Sequence, residues 1–235
     1  MSGTLRRGVL VTGTDTEVGK TLVTAGIVAA LRQAGVPVQP LKPVESGTDE
    51  NGGVPADAQL LATCAGLPLG ATHVVALAEP LAPVVAARRQ GVELSMEPLD
   101  AAVAAVPDST ALVVEGVGGA LVEVAAGVFV ADLPTRWGLP VLVVAANRLG
   151  VLSHTLLTVQ ALQQRGAQVL GVVLNTMHPG PPSVAEQTNA DELARLLTVP
   201  LLATIPWLPE ADRRDPRTLG IAVRDVVDPL LIWLR

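Results

Sequence analysis

Lysine is nearly absent from this chain: of sixteen basic residues only Lys20 and Lys42 are lysine, and the rest are arginine. Each of the two follows a run that reads as a buried strand. A compact ammonium fits between phosphate oxygens where the wide guanidinium fork does not. Aromatic residues are almost as scarce, at 2% with no tyrosine. The core must therefore be built from Leu, Val, Ile and Ala. A basic stripe is also missing, and with a net charge of −6 nucleic acid binding is excluded as the main task. Arg6-Arg7, Arg88-Arg89 and Arg213-Arg214 read as isolated, solvated pairs. The lone cysteine, Cys64, excludes an internal disulfide. The first strand begins within about ten residues, which leaves too little chain for a signal peptide. The uncharged stretch 58–78 is interrupted by Gln59, Thr63, Gly66, Pro68, Gly70 and His73, so no membrane span is expected. The reading is a soluble, cytoplasmic protein.

Buried strand-like runs alternate with longer helical ones. Strands are predicted at 8–12, 36–41, 112–115, 141–144, 169–174 and 201–205, and helices at 20–33, 153–164 and 185–197. Continuous apolar strands between helices imply a doubly wound, mostly parallel sheet covered on both faces, here as one domain over 1–235. Polar residues gather after four of these strands, at 13–21, 42–46, 115–119 and 175–176. In such sheets that edge is where ligands bind.

Gly13-Thr14-Asp15-Thr16-Glu17-Val18-Gly19-Lys20-Thr21 is a phosphate loop. Its glycines let backbone N–H groups and a helix N-terminus surround an anion, Lys20 reaches the outer phosphates, and the Thr21 hydroxyl is suited to Mg²⁺. Five residues rather than the commoner four separate Gly13 from Gly19. Glu115 ends an apolar strand just before Gly116-Val117-Gly118-Gly119 and offers a hard oxygen ligand. Asp57 reads either as a second metal ligand or as the cap of the helix that follows. His73, His154 and His178 lack metal spacing, Trp137, Trp207 and Trp233 are too scattered to stack a ligand, and Ser46 has no histidine partner for a triad.

With these segments assembled, the chain resembles the dethiobiotin synthetases over nearly its whole length. The resemblance is carried by 11–21, by Lys42-Pro43-Val44-Glu45-Ser46-Gly47, by 78–83 and 114–119, and by Leu149-Gly150, Asn175 and Ile205-Pro206-Trp207-Leu208. It implies a P-loop NTPase fold and ATP-dependent closure of a cyclic urea from 7,8-diaminopelargonic acid and CO₂, with Mg²⁺. The resemblance gives Lys20, Lys42 and Thr16 the catalytic roles, and Thr21, Asp57 and Glu115 the metal. ATP would be held by Gly13, Thr16 to Thr21 and Glu115, with Asn175 reading adenine beside a wall of Pro206, Trp207 and Leu208. Lys42, Ser46, Glu17 and Gly118 would face the diamine, and the helix start after Gly150, with the backbone N–H groups of Val151, Leu152 and Ser153, its carboxylate. A homodimer with that site near the interface is implied as well. The chain departs from the family pattern at Ser153, often Asn, at Arg148, often Lys, and at Val84, often His. Partitioning and cell-division ATPases are the nearest rival, but they carry a further lysine early in the loop, where this chain has Thr14 and Asp15.

Overall fold

Seven strands form one parallel sheet in the computed structural model, which describes residues 6–51 and 53–234. In chain order they are β1 (Gly8–Gly13), β2 (Val38–Ser46), β3 (His73–Leu77), β4 (Ala111–Gly119), β7 (Val141–Ala146), β8 (Val169–Asn175) and β9 (Leu201–Ile205). A short antiparallel ribbon, β5 (Glu123–Ala125) and β6 (Val128–Phe129), interrupts the series. The order across the sheet is β3-β2-β4-β1-β7-β8-β9, with β1 in the middle.

The helices are α1 (Lys20–Gln33), α2 (Ala56–Ala65), α3 (Pro83–Gln90), α4 (Met96–Ala104), α5 (Leu133–Trp137), α6 (Val151–Gln164), α7 (Val184–Leu196), α8 (Pro216–Ala222) and α9 (Arg224–Leu234). Strand alternation splits the aliphatic residues between two cores. Leu10, Leu112, Val114, Val141 and Val143 point to the face shared with α3 to α6. Val9, Val11, Val113, Leu142 and Val144 point to the face under α1, α2, α8 and α9. Both faces are covered, which is why these strands read as unbroken apolar runs.

Three expectations change. β2 runs on to Ser46 and β4 to Gly119, so Lys42 and Glu115 both lie inside strands rather than at strand ends. Residues 38–41 pair with β4, whereas from Lys42 onward the strand pairs with β3. β3 itself escaped the sequence reading, because it is a short, half-exposed edge strand within the stretch weighed as a membrane span. No helix among the described residues is long and apolar enough to cross a membrane. The arginine pairs are not merely solvated. Arg6 bonds the carbonyls of Val103 and Val106, Arg7 those of Ser109 and Leu234, and Arg89 pairs with Glu79. Cys64 is buried in α2, and burial pushes its thiol up to about 11.

Candidate active site

The phosphate loop joins β1 to α1 through two residues of positive φ, Glu17 at 55° and Gly19 at 95°. Gly19 is the one that tolerates no side chain, since a Cβ there would lie 2.0 Å from the Asn175 amide nitrogen. That amide donates to the Val18 carbonyl at 3.1 Å, so the end of β8 supports the loop from below. From the side, the Thr14 N–H donates to the carbonyl of Val144 at 3.0 Å. Lys20 is buried, and its ammonium donates to the Asp15 carbonyl at 2.8 Å. Burial first, and the charge of Lys42 second, lower its pKa to about 8.

The partner switch in β2 opens the sheet beside β4, and the two residues at the opening are Lys42 and Glu115. Both are buried, and their charged atoms are 2.5 Å apart. The Lys42 ammonium also donates to Asp57 at 2.8 Å and to the Gly116 carbonyl at 3.3 Å, which uses its three protons. The Thr21 hydroxyl donates to the same Glu115 oxygen at 2.9 Å. Burial works to lower the Lys42 pKa, but the carboxylates of Glu115 and Asp57 outweigh it and hold the group above the usual lysine range. Burial raises the pKa of Glu115, while for Asp57 the neighbouring Lys42 overcomes burial and lowers it. These four residues come from α1, β2, α2 and β4, so no stretch of sequence shows the cluster.

Asp57 is the second residue of α2, whose cap position is Pro55, so the capping alternative falls. The glycines after Glu115 have partners of their own. A Cβ on Gly116 would meet Val130, one on Gly118 would meet Val122, and Gly119 lies against the backbone of Thr14 and Asp15. Their smallness thus lets β4 pack on the residues that flank the ribbon and on the phosphate loop. Ser46 sits half-buried at the end of β2, in register with Leu77 of β3.

A cleft of about 430 Å³ opens on the other side of the phosphate loop. Asp15, Thr16, Glu17 and Val18 form one wall, and Arg148, Leu149, Met177 and His178 stand in the other. Arg148 approaches Asp15 to 3.5 Å across its mouth. Gly150 to Ser153 follow directly, and α6 starts at a left-handed Gly150 without a side-chain cap. The Val151 N–H already bonds the Arg148 carbonyl at 3.2 Å, so of the three expected donors it is engaged within the turn. Pro206, Trp207 and Leu208 do not line this cleft. They follow β9, next to Asn175, whose pairing partner in that strand is Ile205. Arg213 braces them, with its guanidinium over the Trp207 ring at 5.7 Å and Nε donating to the Leu208 carbonyl at 2.8 Å.

Sequence reasoning missed a polar network that lines the cleft. Buried Asn147 donates to the Glu186 carbonyl at 3.1 Å and accepts from Asn189 at 2.8 Å. The Glu186 side chain caps α7 through Ser183 and meets His178 at 2.7 Å. The Ser183-x-x-Glu186 spacing was a readable capping box. Nothing in the sequence marked Asn147.

A family model described as AAA domain matches residues 7–215. The ATP-dependent dethiobiotin synthetase BioD of Anaeromyxobacter dehalogenans (strain 2CP-C) is 46% identical over 218 residues, covering 91% of this chain and 96% of the relative. The chain belongs to the dethiobiotin synthetase family. The synthetase of Bacillus licheniformis, another relative of that name, is 37% identical and covers 96% of this chain and 95% of its own length. That of Thermodesulfovibrio yellowstonii is 35% identical, covering 89% and 92%. Among solved structures, a ParA family ATPase from Chlorobium tepidum TLS superimposes over 98% of both chains with a TM-score of 0.51 at 12% identity, a likeness of fold alone. The phosphate loop, through Thr21, and the Lys42-Pro43-Val44 segment, through Lys42, are the two elements that converge on Glu115.

Proposed function

We propose that this chain is an ATP-dependent dethiobiotin synthase, converting 7,8-diaminopelargonic acid, CO₂ and ATP to dethiobiotin, ADP and phosphate. The observation that carries the reading is the ammonium of Lys42 fixed between Glu115 and Asp57 at the edge of the phosphate loop. One amine of the substrate adds to CO₂ and loses a proton, giving a carbamate. A carbamate oxygen then attacks the γ-phosphorus and expels ADP, forming a carbamic-phosphoric anhydride. The second amine attacks its carbonyl carbon, and phosphate leaves as the urea closes. Two anions must meet for the phosphoryl step, so the site has to supply fixed positive charge and alignment rather than a nucleophile.

The residues divide that work. Lys20 serves the outer phosphates, and Lys42 offsets charge on the carbamate. Thr16 and Ser46 hydrogen-bond the carbamate and the amines, and Glu17 and Gly118 border them. Thr21, Asp57 and Glu115 would hold Mg²⁺. A hydroxyl and two carboxylates are the hard oxygen donors that ion takes, and Glu115 keeps a second, buried oxygen without a hydrogen-bond partner. When bound, the ion would offset the negative charge that builds on the phosphates during transfer.

Asn175 reads adenine, a role supported by its own unpartnered buried carbonyl oxygen beside Pro206. Asn175→Ala is expected to raise the KM for ATP about tenfold and to bring the kcat/KM values for ATP and GTP together. Unchanged base selectivity in steady-state assays would remove the role. Gly150 to Ser153 hold the substrate carboxylate at the helix start, in a homodimer whose partner lies close by. The exposed Leu149 and Leu157 next to that helix start support such an interface. A lone buried thiol fits a reducing, cytoplasmic setting.

The direct test is mass detection of dethiobiotin after mixing the protein with MgATP, bicarbonate and 7,8-diaminopelargonic acid. Product with equimolar ADP supports the assignment. ATP hydrolysis that ignores the diamine would refute it.

A further inference from the structure

We propose that Glu45 is a positioning residue that sets Asp57 for metal binding by replacing the missing cap of α2. This inference rests on the reading of Asp57 as an Mg²⁺ ligand. The first N–H groups of a helix have no partners within it, and a polar side chain at the cap position ordinarily supplies one. Here the cap position is Pro55, which has no side-chain acceptor. The chain meets the need from another element. Glu45, in register with Ala76 of β3, is buried, with 6% of its surface exposed. One of its carboxylate oxygens accepts the Asp57 N–H at 2.9 Å, and the other accepts the Ala58 N–H at 3.0 Å. A second tie follows at once, from the Thr72 hydroxyl to the Ala58 carbonyl at 3.0 Å.

The clamp grips the backbone of the residue whose side chain reaches Lys42. Asp57 enters the cluster from a helix, whereas Lys42 and Glu115 stand on strands of the sheet. The strands are fixed by their ladders, so the position of Asp57 depends on how the first turn of α2 is held. Glu45 and Lys42 belong to the same strand, three residues apart. The carboxylate therefore references Asp57 to the strand that carries the lysine. An anion at a helix N-terminus also agrees with the helix dipole. Both oxygens are needed as acceptors. An amide would offer one oxygen and turn an N–H₂ group toward a backbone N–H, so Glu45→Gln breaks the clamp with little change of shape.

The experiment is calorimetric titration of ADP into the full-length protein, in EDTA and at graded Mg²⁺ concentrations, for wild type, Glu45→Gln, Asp57→Ala and the double variant. Thermal unfolding is recorded for each. Glu45→Gln is expected to raise the Mg²⁺ concentration at the midpoint of the gain in ADP affinity by about tenfold. Its affinity for ADP in EDTA should stay within about twofold of wild type, which a merely structural defect would not allow. In the Asp57→Ala background the same substitution should add nothing, because both act through one group. Should Glu45→Gln not fold, Glu45→Asp is read the same way, since it keeps the charge and shortens the reach. An unmoved midpoint in Glu45→Gln while Asp57→Ala shifts it would overturn the positioning role alone. A full additive loss in the double variant, or equal loss in EDTA, would do the same. If Asp57→Ala leaves the midpoint where it was, the ligand reading falls and this inference falls with it.

Discussion

Replacing Lys42 by Met should lower kcat on the order of a thousandfold, the scale of a lost charge-stabilising group in a desolvated site. ADP affinity measured in EDTA should change by no more than about threefold, because the phosphates are served by Lys20 and the loop backbone. The split between turnover and binding is the informative part. Lys42 sits with Glu115 and Asp57, not on the phosphate loop, and all three of its protons point at that acidic pair and the Gly116 carbonyl. Methionine keeps the apolar stem and removes only the charge, so the sheet opening between β2 and β4 stays filled. Single-turnover assays with labelled ATP would locate the block at phosphoryl transfer. A collapse of nucleotide affinity instead would move Lys42 to the phosphates and leave the carbamate without its cation. Arginine should not rescue, since three convergent contacts in a closed pocket fit an ammonium and not a planar fork.

The second large effect belongs to Gly19. Its φ of 95° lies where L side chains are rarely found, and an added Cβ would fall 2.0 Å from the Asn175 amide nitrogen. Backbone strain of this kind costs about 1–3 kcal/mol before the clash is counted. Gly19→Ala is therefore expected to lose about 3 kcal/mol of stability and to lower the melting temperature by roughly 10 °C, at about 2–4 °C per kcal/mol for a chain of this size. Nucleotide binding should suffer with it, because relief of the clash must push either the loop or Asn175. Gly35→Ala is the control: it too has positive φ, at 71°, but a Cβ there meets nothing within 4 Å. Gly35→Ala should cost only its backbone term and leave ADP binding intact. Equal losses of binding in the two variants would dissolve the claim that Gly19 and Asn175 work as a unit.

Local pattern carried six of the seven strands of the parallel sheet, but among the helices only α1, α6 and α7 with bounds. The helix over Lys20–Gln33 and the strand over Leu201–Ile205 have the bounds the sequence suggested, since each is closed by its own signals. β2 did not, because nothing in Lys42-Pro43-Val44-Glu45-Ser46 distinguishes a loop from a strand that changes neighbours. The same holds for the site. The phosphate loop is contiguous and could be read directly. The association of Lys42 with Thr21, Asp57 and Glu115 joins four separate elements and depended on resemblance until the fold brought them together. Glu45 and Asn147 were silent for a related reason: each serves backbone groups of a distant segment, and only burial reveals that.

The want of aromatic residues has a last, practical side. With no tyrosine and three tryptophans, the ultraviolet emission of the protein comes from indole alone. Trp137 is buried and bonded to Asp100, and Trp233 lies on α9, near the chain end. Trp207 is the one set beside Asn175, half-covered, with a guanidinium on its face. On the proposed assignment of Trp207 to the adenine wall, nucleotide binding is expected to change the polarity around a single chromophore on a quiet background. A titration of ADP followed by tryptophan emission would read it with no label attached.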